Sequence, residues 1–409
     1  MKDLLRSACL AALVMWAGCG ESTETGAVEA GPMDTSALAK GDAWDKANNP
    51  AKMNKDLQYR LSELPLEGEA DAIPWPGSYW PTLNDSINHR WDGLESLSPA
   101  EKYAIAFDAP DTMDEISRYF GVDAHSDRTA CTSSADCTSS EESCGKRIGE
   151  ETGRCIPGWW GICHAWSPAA IKEPEPINEV TRNGVTFKVN DIKALMTLVY
   201  NWVNVKHVSL RCDTHEGASM AVDAYGNPTG EAIGCKDTNA GTFHVITTNY
   251  LGLMGKSFVE DRTFDFEVWN QPVARYRIQH FQPLTVDEAH ALLKVPEETL
   301  DTETYLFNEN AAYLHHGQME LDYVAESSST TDGNLAELVE NYVHTDSYEY
   351  VLEVDAEGLV IGGEWAGASK TTHPDCLWIA TGLKNLPHFT PPIAYYQVKS
   401  LLNESITSQ

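Results

Sequence analysis

The chain has 409 residues, 42% of them hydrophobic and twelve of them Trp. That is enough apolar surface for one large or two smaller packed units, and it excludes a disordered protein. With 29 Lys and Arg against 61 Asp and Glu, the formal net charge is −32. This argues against a nucleic-acid partner or an anionic membrane held by a basic face, and for a solvated, self-repelling surface.

Residues 1–18, MKDLLRSACLAALVMWAG, join a short basic start (Lys2, Arg6) to an apolar run from Ala8 to Ala17. The run is too short to span a bilayer and has the proportions of a signal peptide. It ends in Trp16-Ala17-Gly18-Cys19, which is similar to a bacterial lipobox with Cys19 as the lipidated residue. Trp16 stands where such a box usually has Leu, so plain secretion is the alternative. The expectation is an exported chain, either a bacterial envelope lipoprotein at the outer membrane or cell surface or a secreted protein. Its membrane attachment would be through the N-terminal lipid alone. Residues 19–54 read as a flexible tether, 55–400 as the folded body and 401–409 as a tail.

Within the body, WPGSYWPTLNDSINHRW (75–91) is aromatic and turn-rich, and is expected to pack across the body. Ser98-Pro99-Ala100-Glu101 is a capping box opening the helix EKYAIAFDA. Residues 128–156 form a polar, Ser-rich insertion holding Cys131, Cys137, Cys144 and Cys155. In an exported chain these predict a two-disulfide knot in one of three connectivities. Zinc is the lesser reading, since the spacings lack paired CxxC units and no His falls among them. Cys212 and Cys235 bracket a loop and are suited to pair, with a metal site through His215 as the alternative. That leaves Cys163 and Cys376.

VTFKV (185–189) reads as a strand, and Asp191 as the cap of the helix IKALMTLVYNWV. Residues 241–278 read as strands, GTFHVITTNY, SFVEDRTFDFEVW and ARYRI, the first two joined by a turn at LGLMGK. Thr285 and Glu288 form a second capping box, and residues 347–365 an alternating hairpin turning at AEG. The class is α+β, with helices first and an antiparallel sheet later.

Cys163 sits among Trp159, Trp160 and Trp166, just before the run SPAA. At the start of a helix, free N–H groups and the helix dipole favour a thiolate. A buried structural thiol, or a fifth member of the nearby disulfide knot, is the alternative. A cysteine nucleophile needs an imidazole in reach, and the imidazole needs an acceptor to fix its tautomer. With GTFHVITT and SFVEDRTFD read as a hairpin, the register puts the neighbour of His244 at 260–264. Asp261 falls inside that window and Asp265 just outside it. Pro168 is awkward inside a helix, so Ser167-Pro168 reads as a cap and restart after a short turn. His315, His316 and Glu320 have metal-like spacing but read as a solvated helix face. Asp237-x-Asn239-x-Gly241 is a fragment of a calcium-loop pattern lacking the downstream acid.

GICHAWSPAAI has the pattern around the nucleophile of papain-like enzymes, and VEDRTFDFE looks like the Asp-x-Thr segment of transglutaminases. Three blocks together resemble the transglutaminase elicitor family, known from oomycetes and with bacterial relatives. They are WPGSYWPTLNDSINHRW, WGICHAWSPAA and AGTFHVITTNYLGLMGKSFVEDRTFDFEVWNQPV, with GGEW and HPDCLW also similar to its C-terminal part. The resemblance covers roughly residues 55–400. It implies a papain-like or transglutaminase-like core with Cys163 as nucleophile, His244 as general base and acid, and Asp261 as orienting carboxylate. Asp265 and Asn270 are its supporting candidates, Asn270 because the papain-like third member is an Asn followed by Ser-Trp.

The implied reaction joins a protein glutamine, through a Cys thioester, to an amine such as lysine. No cofactor enters the chemistry, and calcium is a candidate activator. The implied partners are proteins with accessible glutamine and lysine. The alternatives are a cysteine peptidase or amidase, a glutamine deamidase, and a non-catalytic surface binding protein. The papain-like oxyanion Gln is missing: Pro157, Gly158, Trp159 and Trp160 stand in its region. The Cys163 N–H and a nearby indole N–H are the candidate donors.

Overall fold

The computed structural model describes residues 47–210, 237–263, 267–296, 304–386 and 390–407. The first half contains β1 (Glu67–Glu69), α1 (Pro99–Phe107), α2 (Thr112–Phe120), β2 (Ala130–Cys131), β3 (Glu142–Gly145) and β4 (Gly153–Pro157). Then come α3 (Cys163–Lys172), β5 (Val180–Arg182), β6 (Val185–Phe187), α4 (Val189–Val199) and β7 (Val203–Val208). The second half contains α5 (Ala240–Thr247), β8 (Val259–Asp261), β9 (Asn270–Leu284), α6 (Val286–Leu293) and β10 (Tyr313–Val324). It closes with β11 (Val343–Val354), β12 (Val360–Trp365), β13 (Cys376–Leu383) and α7 (Tyr395–Thr407).

The main sheet runs β12-β11-β10-β9-β8-β13-β7, with β1 added to β9, and its pairings are antiparallel. This is the expected α+β class. Strand alternation splits the apolar residues between two cores. On β13, Cys376, Trp378 and Ala380 join a core built on α3, α4 and the aromatic segment with Trp75, Trp80 and Trp91. Leu377 joins the other, where Phe243, Val245 and Ile246 of α5 meet Tyr348, Tyr350 and Trp365. Helices α3 and α5 therefore flank opposite faces of the sheet.

Several expectations are corrected. GTFHVITT is helix α5, not a strand, and it runs into a π-turn at Thr248–Leu253. Its β-branched residues mimic a strand, and because all eight residues are buried no helical stripe shows in the sequence. The helix is started by Asn239, whose side chain accepts the Gly241 and Thr242 N–H groups. Helix α3 runs through Pro168 without restarting. The lost ladder bond is outweighed by core packing of Trp166, Ala169 and Ala170 on either side of the proline.

Asp191 is the third residue of α4 rather than its cap. It accepts the Lys188 N–H and the Trp91 indole and pairs with Lys102 in the core. His315 and His316 lie on strand β10, not a helix face; His316 bonds Glu349 at 2.9 Å and His315 stacks on Phe281.

The body begins earlier and ends later than expected. Asn48 bonds Ser209 and the Asp237 carbonyl at 2.9 Å each, and Met53 is buried. Leu401 and Leu402 of α7 are core residues. The insertion's disulfides are Cys131–Cys144 and Cys137–Cys155, on the small sheet β2-β4-β3. Cys376 is disulfide-bonded, and Cys163 is the free cysteine among the described residues. Residues 1–46, with Cys19, and the loop holding Cys212, His215 and Cys235 lie outside the described residues, as does Asp265. Among the described residues, no helix is long and apolar enough to cross a membrane.

Gly241 tests how α5 docks. A Cβ there would lie 2.4 Å from the backbone of Gly362 on β12. Gly241→Ala should destabilise the fold by about 1–3 kcal/mol in urea unfolding, because overpacking against backbone outweighs the gain in helix propensity. A stabilised variant would contradict this close helix–strand contact.

Candidate active site

Cys163 is the first residue of α3, and the chain delivers it there through a tight approach to the aromatic segment. The Ile162 N–H donates to the Tyr79 carbonyl at 2.6 Å. Gly161 is needed for this approach, since a Cβ would stand 2.5 Å from both the ring and the carbonyl oxygen of Tyr79. One turn into the helix, the Ser167 hydroxyl lies 2.6 Å from the Asn270 carbonyl and 3.0 Å from the Cys163 carbonyl, pinning α3 to the start of β9.

Asn270 is the centre of the site. It is fully buried, its Oδ1 accepts the Trp378 indole N–H at 2.7 Å, and its Nδ2 lies 3.8 Å from Cys163 Sγ. The thiol donates toward the Val268 carbonyl at 3.6 Å. Opposite Asn270 in the β8–β9 register is Asp261, also fully buried, whose Oδ1 accepts the Trp269 N–H at 2.8 Å. Glu326, two residues beyond the end of β10, approaches from the other side and accepts from Gln271 Nε2 at 2.9 Å. Tyr79 and Trp269, both half-buried, meet edge to face at 5.9 Å.

Burial pushes the Cys163 thiol up to about 12. The Glu326 carboxylate and, more weakly, Asp261 push the same way, against the N–H groups of Asn270. The helix terminus was expected to favour a thiolate; desolvation and two anions win instead.

His244 does not join this site. It lies on α5, on the far face of the sheet, with Nδ1 2.8 Å from the Tyr350 hydroxyl and its ring stacked on Phe281. Burial, helped by His315, drives its pKa down to about 3, so the imidazole is neutral. The expected hairpin fails because β8 pairs with β9 and β13, giving Asp261 the neighbours Asn270 and Cys376. His164, next to Cys163, turns instead to Asn201 at 2.7 Å. Among the described residues, no imidazole hydrogen-bonds Cys163.

The Asp237-x-Asn239-x-Gly241 fragment leads into α5. The Asn239 oxygen caps α5, and Asp237 faces His373 at 3.5 Å. Reasoning from sequence missed Glu326, Tyr79 and Trp378. Asn270 was a supporting candidate through the papain-like pattern, but its contact with sulfur needed the fold.

Comparison with known proteins agrees with this architecture. The family model for the transglutaminase elicitor matches residues 48–408. A search of curated proteins finds no match. Among solved structures, the chain is similar to the GP42 transglutaminase from Phytophthora sojae, with 34% identity and a TM-score of 0.74, over 90% of this chain and 100% of that one. The match begins where the body begins, beside Asn48, and runs to α7. The chain belongs to the transglutaminase elicitor family.

Proposed function

We propose that this protein is a protein-glutamine γ-glutamyltransferase with Cys163 as nucleophile, Asp261 as proton acceptor and Asn270 as the residue that holds them together. The observation that carries the reading is the free, buried thiol at a helix start, touching Asn270, which sits directly across the strand pair from Asp261. Cys163 Sγ attacks the γ-carboxamide carbon of a protein glutamine as its proton passes to the Asp261 carboxylate. The C–N bond breaks and ammonia leaves with that proton, giving a thioester. A neutral amine, ideally a lysine side chain, then forms the new C–N bond as the C–S bond breaks, and its proton passes by way of Asp261 to the departing sulfur, restoring the thiol. The Cys163 N–H, at the head of α3, is the natural first donor to the oxyanion.

A thiol this high must lose its proton during attack rather than before it, which is why a carboxylate in place of the imidazole matters. The two disulfides fit an exported protein. We further propose that Cys19 carries the lipid of an envelope lipoprotein.

Amine incorporation into a glutamine-containing protein tests the reading. Cys163→Ala should abolish it. Asp261→Asn should lower it by about 10²–10⁴-fold, the usual weight of a general base. His244→Gln should keep it within about tenfold, because removing a histidine outside the site leaves the base in place. A well-folded His244→Gln variant that is as inactive as Cys163→Ala would overturn this assignment.

The thiol makes a second prediction. Alkylation of native Cys163 by iodoacetamide should rise about tenfold per pH unit through the neutral range, following thiolate fraction. A plateau at or below neutral pH would contradict a thiol raised by burial.

A further inference from the structure

The charged neighbours that act on Cys163 are both acidic, Glu326 and Asp261. They stand on either side of Asn270, one on β8 and one just past β10, with β9 between. Glu326 is half-buried and accepts from Gln271 Nε2 at 2.9 Å and from its own backbone N–H; burial raises its pKa against these two bonds. Gln271 is 3% exposed, and its own Oε1 is buried without a hydrogen-bond partner. Arg262 acts on Glu326 as well, but its guanidinium is committed to Asp346 at 3.1–3.2 Å. Glu326 thus stands near Cys163 without an ion-pair partner among the described residues. What the place needs is a donor that carries positive charge.

We propose that Glu326 receives the ammonium group of the acyl acceptor, with Tyr79 and Trp269 lining its methylene stem. The acceptor is then a primary alkylammonium such as a lysine side chain, in preference to a neutral amine. This rests on the transferase reading above and adds to it the residue that selects the second substrate. The segment with Tyr79 bridges the two: Ser327, next to Glu326, donates its N–H to the Gly77 carbonyl at 3.0 Å, and Ile162, next to Cys163, donates to the Tyr79 carbonyl at 2.6 Å. Paired charge at a desolvated carboxylate gives strong, charge-assisted hydrogen bonds. The ammonium passes one proton to Glu326 before attack; the neutral amine then forms the C–N bond as the C–S bond breaks, its second proton goes to the departing sulfur, and Glu326 returns its proton to solvent.

The test uses the full protein, a glutamine-containing peptide as donor, and two acceptors. One is a dansylated cadaverine, cationic at neutral pH; the other is hydroxylamine, uncharged there. Glu326→Gln should lower the cationic-to-neutral ratio of kcat/KM by at least about tenfold, mostly through KM of the cationic amine. Glu326→Asp, which keeps the charge, should restore much of the ratio and serves as the reference if the Gln variant folds poorly. A ratio unchanged in Glu326→Gln, or a wild-type enzyme with no preference for the cation, overturns the subsite while leaving the transferase reading intact. A wild-type protein that releases ammonia but incorporates neither amine overturns both.

Discussion

The site depends on Asn270 being held from four directions. Its side-chain oxygen takes the Trp378 indole, its carbonyl takes the Ser167 hydroxyl, its strand position faces Asp261, and its amide reaches Cys163 Sγ. The contacts come from three elements: β13, α3 (through both Ser167 and Cys163) and β8 all meet at the first residue of β9. A buried side-chain amide left without such partners costs about 1–3 kcal/mol, so this crossing point is also where the fold can least tolerate a shift. The glycine at 161, the indole of Trp378 and the short β8 strand all serve that one convergence.

Electrostatics decide how such a site can work. A helix terminus lowers a thiol only when the sulfur is open to its dipole, and here burial and two carboxylates dominate. In the proposed reaction Cys163 rests as a thiol, protected from oxidation and chance alkylation until a substrate and a proton acceptor are both in place. The same low-dielectric setting makes any charge delivered by a substrate count for more than it would in water.

Much of the fold was legible where local chemistry rules. The capping boxes at Ser98–Glu101 and Thr285–Glu288 form as written, and the hairpin of β11 and β12 turns where AEG stands. The cysteine spacing gave a two-disulfide insertion, though not its pairing. The failures share a cause. Helix α5 is buried all round, so its β-branched residues carried no period, and reading it as a strand placed His244 beside Asp261. Pro168 looked like a helix start because the sequence does not show the core that holds α3 on both sides of it. Asn270 and Glu326 could be named but not placed, since their nearness to sulfur arises from strand order, a property no local pattern encodes.

The central claim is that the sulfur held at Asn270 is the atom that carries the acyl group. The most direct measurement is intact-mass analysis of the protein mixed with a glutamine-containing peptide and quenched in acid, followed by mapping of the adduct. The account predicts a mass gain equal to the peptide less ammonia, located on Cys163 and absent in Cys163→Ser. Turnover without any adduct, or an adduct on another residue, would contradict it.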